Sequence, residues 1–131
     1  MLTPNFLSRD DVLLIHVDQI ESFGGTSGVR DQGLLDSALA QPKATFGGEL
    51  LHPTLAEQAA AYLYHLSRNH PFIDGNKRTA FAVMDTFIEA SGCRLALSDD
   101  EAYDLVMRVA QGQVDKTTLA EILARALEPR P

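Results

Sequence analysis

The chain has 131 residues, 45% of them hydrophobic, enough for one modest core and a single expected domain over 1–131. A formal charge of −7 argues against general affinity for nucleic acid, and no apolar run approaches the ~18–20 residues needed to cross a membrane. Cys93 has no second cysteine to pair with, and Met1-Leu2-Thr3-Pro4-Asn5 lacks the basic and apolar regions of a secretory signal, so the expected location is a reducing cytoplasm.

Ser8-Arg9-Asp10-Asp11 reads as a helix cap followed by first-turn acids, which suit the helix dipole. Val12, Ile15, Gln19 and Phe23, with Leu13, Val17 and Ile20, keep a helical period until Gly24-Gly25 stops it. His16 sits on this helix among apolar neighbours, and its expected place is a hydrogen-bonded core or groove position. Residues 24–31 form a glycine-rich loop without the strand-then-GxGxxG setting of a dinucleotide fingerprint. Asp31 caps a second predicted helix over 32–41 that buries Leu34, Leu35, Ala38 and Leu39, and Pro42 ends it. Over 43–53 the helical period is lost, and Gly47-Gly48 between Phe46 and Leu50 predicts a hairpin or flap.

Thr54-Leu55-Ala56-Glu57 is a capping box for a helix over about 54–69. Its inward face is Leu55, Ala59, Tyr62, Leu63 and Leu66, and its C-terminal end delivers His70. Pro71 makes continuation past His70 difficult, because the residue before a proline is pushed out of the α region. A further helix starts near Asn76 with Ala80, Val83, Met84, Phe87 and Ile88 at helical spacing and Phe81 and Ala82 widening the apolar surface. It is the expected central buried helix, closed by Gly92. Residues 94–97 read as a short extended link. Ser98-Asp99-Asp100-Glu101 is a second capping box, for a helix with Ala102, Leu105, Val106 and Val109 inward and Gly112 at its end. Thr118-Leu119-Ala120-Glu121 resembles a third, although the helix could begin nearer Lys116; Leu119, Ile122, Leu123 and Ala126 face inward before Pro129 ends the order. The expected fold is a compact all-α bundle of about six helices with a small non-helical flap before residue 70.

The chemistry concentrates in His70-Pro71-Phe72-Ile73-Asp74-Gly75-Asn76-Lys77-Arg78. A short loop emptying into a helix start aims unpaired backbone N–H groups at one point, an arrangement suited to phosphate. Lys77 and Arg78 add positive charge there. Asp74 is the group expected to hold Mg²⁺ against phosphate oxygens, and histidine is the side chain whose ordinary titration range suits proton acceptance near neutrality. The stretch therefore reads as a Mg-nucleotide site. A metal site shared by His65 and His70 is excluded by their separation of about 140° around a helix, and Gly-Asn-Lys-Arg-Thr lacks the Gly-x-x-x-x-Gly-Lys-Ser/Thr of a Walker loop. Arg68, ahead of the loop, could face the site or solvent.

His-Pro-Phe-x-Asp-Gly-Asn-x-Arg resembles the core motif of Fic proteins, which move AMP or other phosphate-containing groups onto protein hydroxyls. Lys77 followed by Arg78-Thr79-Ala80 is closer to the death-on-curing (Doc) branch, toxins of bacterial toxin–antitoxin pairs. Phe23-Gly24-Gly25, Gly28-Val29-Arg30-Asp31, Leu34-Leu35 with Ser37-Ala38-Leu39, and Thr45-Phe46-Gly47-Gly48 also resemble Doc segments. The resemblance implies His70 as general base, Asp74 as the Mg²⁺ ligand, and Gly75, Asn76, Lys77 and Arg78 as the phosphate holders, with Phe72 and Ile73 as packing residues of the loop. It implies that residues 43–53 form a flap positioning the target by main-chain pairing. AMP-transferring Fic proteins have glycine where this chain has Lys77, and a second arginine where it has Phe81. Doc toxins share both departures, so the implied reaction is transfer of the terminal phosphate of ATP to a hydroxyl of elongation factor Tu. Fic-type AMP transfer and a non-catalytic nucleotide- or antitoxin-binding module are the alternatives. Residues 45–49 approach the inhibitory Ser/Thr-x-x-x-Glu-Gly/Asn pattern, but Leu50 departs from it, so an antitoxin is expected to inhibit in trans.

Overall fold

A computed structural model describes residues 3–131; Met1 and Leu2, part of the stretch read as lacking a secretory signal, lie outside the described residues. Six helices carry the fold among the described residues. Helix α1 (Arg9–Phe23) opens on a reciprocal box, in which the Ser8 hydroxyl accepts from the Asp11 N–H while the Asp11 carboxylate accepts from the Ser8 N–H. Helix α2 (Gln32–Ala40) is capped by the Asp31 carboxylate. The expected flap follows as an antiparallel pair, β1 (Thr45–Phe46) and β2 (Glu49–Leu50), turned by Gly47-Gly48 and presenting an exposed Phe46.

Helix α3 (Leu55–Asn69) and helix α4 (Asn76–Ala90) form the heart of the molecule, followed by α5 (Asp99–Ala110) and α6 (Lys116–Ala126). Sequence periodicity makes α4 the central helix, but the structure gives that place to α3, which packs against α2, α4, α5 and α6. Ala56, Ala59, Ala60 and Ala61 are all buried on it, beside Tyr62, Leu63 and Leu66. Alanine barely registers in an apolar period, yet its short side chain lets neighbouring helices approach from several directions. Even Gln58 and Ser67 are buried there.

The Glu57 side chain reaches back to the cap residue as expected, its carboxylate accepting from the Thr54 hydroxyl at 2.8 Å. Helix α6 starts at Lys116 with Asp115 as its cap, accepting from the Thr118 N–H at 2.7 Å, so Thr118 lies in its first turn. The chain does not end its order at Pro129. Residues Cys93–Leu95 form β3 and pair antiparallel with β4 (Leu127–Pro129), and the Arg130 N–H continues onto the Gly92 carbonyl. Each strand is only three residues long and paired on one edge, too short for its pattern to reveal a partner.

The core is one continuous cluster running from Val12 and Leu35 through Phe87 to Leu119 and Leu123. Tyr62 lies within it, tilted against Phe87 at 4.9 Å, and its hydroxyl accepts from the Leu7 N–H. The segment before α1 is thereby strapped across α3 and α4, with the Asn5 N–H on the Ser91 hydroxyl. No helix among the described residues is long and apolar enough to cross a membrane.

His65, on α3, meets the Lys116 ammonium at 3.0 Å. Burial and then the Lys116 charge lower its pKa from 6.5 to about 4, so it stays neutral and accepts from the lysine. The unfolded chain binds the proton more readily between those values, so the contribution of His65 to stability is complete above pH 6.5 and declines as pH falls toward about 4. His16 and His52, lowered mainly by burial, act in the same direction; Asp85, raised by burial, acts in the opposite one. Denaturant unfolding across this window should therefore show falling stability on acidification, and His65→Gln should make the fall shallower. An unchanged slope in that variant would remove His65 as a contributor.

Candidate active site

The loop between α3 and α4 is shaped by its attachment to residues 28–31. The Pro71 carbonyl accepts from two backbone donors, Arg30 N–H at 2.7 Å and Asp31 N–H at 3.1 Å. Ile73 N–H returns a bond to the Gly28 carbonyl, and Val29 and Phe72 form an antiparallel bridge. The Arg30 guanidinium then closes the C-terminus of α3, donating through Nε to the His70 carbonyl at 2.8 Å and through Nη2 to that of Asn69 at 3.0 Å. Helix C-termini leave such carbonyls without internal partners, and a cation suits the negative end of the dipole. Sequence alone assigns Arg30 no role. Its only signal was membership in the Gly28-Val29-Arg30-Asp31 segment.

His70 is the C-cap of α3 and adopts left-handed φ 48°, ψ 54°, the one non-glycine residue with positive φ among those described. Such a backbone costs a residue with a Cβ roughly 1–2 kcal/mol, and the Arg30 and Pro71 contacts hold it in place. The side chain is exposed.

Phe72 turns inward and is 1% exposed, stacked on the His16 ring at 3.9 Å. His16 Nδ1 lies 3.0 Å from the Thr79 hydroxyl on α4. His16 therefore occupies the hydrogen-bonded core position expected of it, directly beneath the loop. Ile73, read as a packing residue, is instead 53% exposed, with its side chain lying over Gly28. Backbone pairing, not burial of its side chain, holds that position.

Asp74, Gly75, Asn76, Lys77 and Arg78 come together with Phe23, Gly24 and Gly25 around a cleft of about 460 Å³. His70 is not part of that wall and stands exposed at the start of the loop. The Asp74 carboxylate accepts from the Gly75 N–H at 3.0 Å and from the Thr26 N–H at 3.2 Å. A Cβ at Gly25 would fall 2.9 Å from Asp74 Oδ2, so only glycine permits this approach. Gly75 has φ 70° and caps α4 without any side-chain hydrogen bond. In α1, α2, α3, α5 and α6 a cap side chain takes up a first-turn N–H. The first-turn N–H groups of α4 thus open toward the cleft.

Both ends of the Asn76 carboxamide are committed to Phe72, its oxygen accepting from the N–H and its nitrogen donating to the carbonyl. What Asn76 offers an anion is its backbone N–H. Arg78 donates through Nη2 to the Gly24 carbonyl at 2.9 Å and lies over the Phe23 ring at 5.5 Å. Its Nε is buried without a partner, a donor that costs free energy until an acceptor arrives. Lys77 is exposed. Arg68 lies outside the cleft wall, within 3.5 Å of the Ala110 carbonyl at the end of α5.

No group of three His, Cys, Asp or Glu among the described residues could hold a metal by itself. One carboxylate beside N–H donors and cations fits Mg²⁺ that keeps most of its shell as phosphate oxygen and water, rather than a protein-only cage.

The Fic/DOC family model matches residues 6–88. The chain is 46% identical over 121 residues to Toxin Doc of Mycolicibacterium smegmatis, covering 91% of each. It is 29% identical over 119 residues to Protein kinase doc of Escherichia phage P1, covering 91% of this chain and 93% of that protein.

The left-handed cap gives a direct test. His70→Gly and His70→Ala both remove the imidazole, but only glycine relaxes the backbone. His70→Gly should be the more stable of the two by roughly 1 kcal/mol in chemical denaturation. Equal stabilities would show that the loop attachments do not impose the strain. Arg30→Ala should destabilise by roughly 1–2 kcal/mol through loss of two charge-assisted bonds and raise amide exchange over residues 70–75.

Proposed function

The chain belongs to the Fic/DOC family, and from that membership we propose that it is the toxin of a bacterial toxin–antitoxin pair, transferring the terminal phosphate of ATP to a protein hydroxyl. The observation that carries this reading is the uncapped N-terminus of α4, opening with Asp74, Lys77 and Arg78 onto a single cleft, with an exposed His70 at the start of the same loop. A phosphate set against the first turn of α4 would accept from its backbone N–H groups and from the orphaned Arg78 Nε. Lys77 would offset its charge from the open side. Mg²⁺ on Asp74 would neutralise charge and align the phosphate oxygens.

His70, held at the loop's edge, takes the proton of the target hydroxyl. The hydroxyl oxygen bonds to the terminal phosphorus, and the bridging oxygen leaves with ADP. Positioning and electrostatics supply most of the catalysis in such a transfer. Exposure of His70 suits a macromolecular substrate, which must present its hydroxyl from outside. The flap, with open strand edges and Phe46 82% exposed, offers the target main-chain pairing. Elongation factor Tu is the proposed target, in the cytoplasm, with translation blocked as the outcome.

Lys77 and Phe81 favour terminal-phosphate transfer over AMP transfer. A lysine in place of glycine keeps a phosphate chain from lying close to the loop, and phenylalanine offers no clamp for a terminal phosphate. The antitoxin would supply inhibition in trans, through a segment whose carboxylate pairs with Lys77 or Arg78.

Incubation of the chain with elongation factor Tu and labelled ATP decides the reaction. Label should pass from the γ position and not from the α position, should stop in chelator, and should fall ~10²–10⁴-fold in His70→Ala. Transfer of α label would replace this reading with AMP transfer. Undiminished activity in chelator would remove Asp74 from the metal role. Expression without a partner should arrest growth, and His70→Ala should relieve the arrest.

A further inference from the structure

A cavity of about 330 Å³ between the start of α3 and helix α6 shares no lining residue with the phosphate cleft. It holds charges of both signs that do not pair with each other. The ion pairs among the described residues are Arg9 with Asp36 and Arg94 with Glu128, so no carboxylate lies within salt-bridge distance of Lys116. The Lys116 ammonium meets only the neutral His65 ring, and burial holds its pKa below the usual lysine range. Glu57 and Glu121 line the same cavity; one Glu57 oxygen takes the Thr54 hydroxyl, and Glu121 stands exposed. His52 forms a further wall, 9% exposed, with its Nε2 buried and unpartnered. Buried polar atoms are ordinarily satisfied, so that nitrogen calls for a partner. Ala56, Ala120 and Ala124 supply the apolar wall.

We propose that this cavity binds a small zwitterion, an amino acid with an aliphatic side chain, its carboxylate on Lys116 and His52 and its ammonium on Glu57 and Glu121. Such a ligand meets each unpaired charge with its opposite and lays its side chain against the alanines. Burial and then the Lys116 charge lower the pKa of His52, opposed by Glu57, so its ring is neutral near neutrality. A neutral imidazole with its proton on Nε2 donates to the carboxylate that Lys116 holds. Two acids beside one cation disfavour phosphate or a simple carboxylate, which would bring negative charge to Glu57 and Glu121 without compensation. A metal ion is unsuitable, because Lys116 occupies the His65 Nε2 and no three ligating side chains meet among the described residues. The volume lies at the small end of the range of roughly 300–1,000 Å³ for ligand sites, which suits an amino acid. His52 also carries the chain from β2 into α3, its carbonyl accepting from Gln58 Nε2 at 2.9 Å, so the occupant would rest against the root of the flap.

Leucine and two analogues that each lack one charge test the assignment: isocaproate, without the amine, and isoamylamine, without the carboxylate. The His70→Ala chain serves as parent, so the result stands apart from the phosphate-transfer reading. Leucine should shift the His52 and His65 ring resonances saturably at a concentration on the order of 1 mM, and each analogue should bind about tenfold more weakly. Lys116→Met should weaken leucine and isocaproate about tenfold and leave isoamylamine no weaker. Glu121→Gln, an exposed change, should weaken leucine about fivefold and strengthen isocaproate. A merely structural change would not move the two ligands in opposite directions. The Glu121 variant and the analogue comparison carry the test if Lys116→Met does not fold. Absence of a saturable ring shift with leucine would overturn the site. Analogues that bind as tightly as leucine, or a Glu121→Gln variant that affects leucine and isocaproate alike, would overturn the zwitterion assignment. Shifts confined to residues 74–78 would place the ligand in the phosphate cleft and overturn it as well.

Discussion

The attachment of the α3–α4 loop to residues 28–31 sets the geometry of the site. Two N–H groups converge on the Pro71 carbonyl, and one guanidinium bonds the carbonyls of Asn69, the last residue of α3, and of its C-cap His70. Pro71 cannot donate to a ladder, but its carbonyl remains free, and here it serves as the anchor of a short antiparallel bridge. The consequence reaches His70 directly, because its left-handed backbone is adjacent to the carbonyls that Arg30 holds. A segment remote in sequence thus determines where the imidazole stands.

Beneath the loop the same logic passes through aromatic packing. Phe72 fills the space between the loop and α1, His16 stacks on it, and Thr79 ties His16 to α4. Burial lowers the pKa of His16 and the nearby Arg78 charge lowers it further, so the ring remains neutral and can exchange a hydrogen bond with the Thr79 hydroxyl. A charged ring in that position would place a second cation under Arg78. Neutral His16 instead leaves the positive charge on the cleft side, where an anion can use it.

The electrostatics of the cleft are local. A chain of net charge −7 concentrates Lys77 and Arg78 at one helix start, and five of its helices satisfy their first turns with their own side chains. Helix α4 starts instead from a left-handed glycine with no polar side chain to compete for its N–H groups. The cost is an unsatisfied terminus and a buried, unpartnered Arg78 Nε in the free protein.

Much of the fold was legible because the helices announce themselves with caps: Ser8, Asp31, Thr54 and Ser98 all cap where their residue types and spacing predict. The residues that meet at the cleft were equally plain as a string, since Asp74, Gly75, Asn76, Lys77 and Arg78 are consecutive, whereas the place of His70 outside the cleft wall was not. Sequence also determined that residues 45–50 leave the helical pattern, because paired glycines interrupt the apolar period. Tertiary structure alone decided the rest. The centrality of α3 rests on alanines, whose importance appears only when four helices converge on them. The β3–β4 pairing joins residues more than thirty apart, and three-residue strands carry too few alternations to reveal a partner. Arg30 on the His70 carbonyl, Gly25 against Asp74 and Phe72 on His16 are likewise contacts between distant segments. The order of residues along the chain can name those that gather in one loop, but the distances among them follow from backbone hydrogen bonds that form only once the chain has closed.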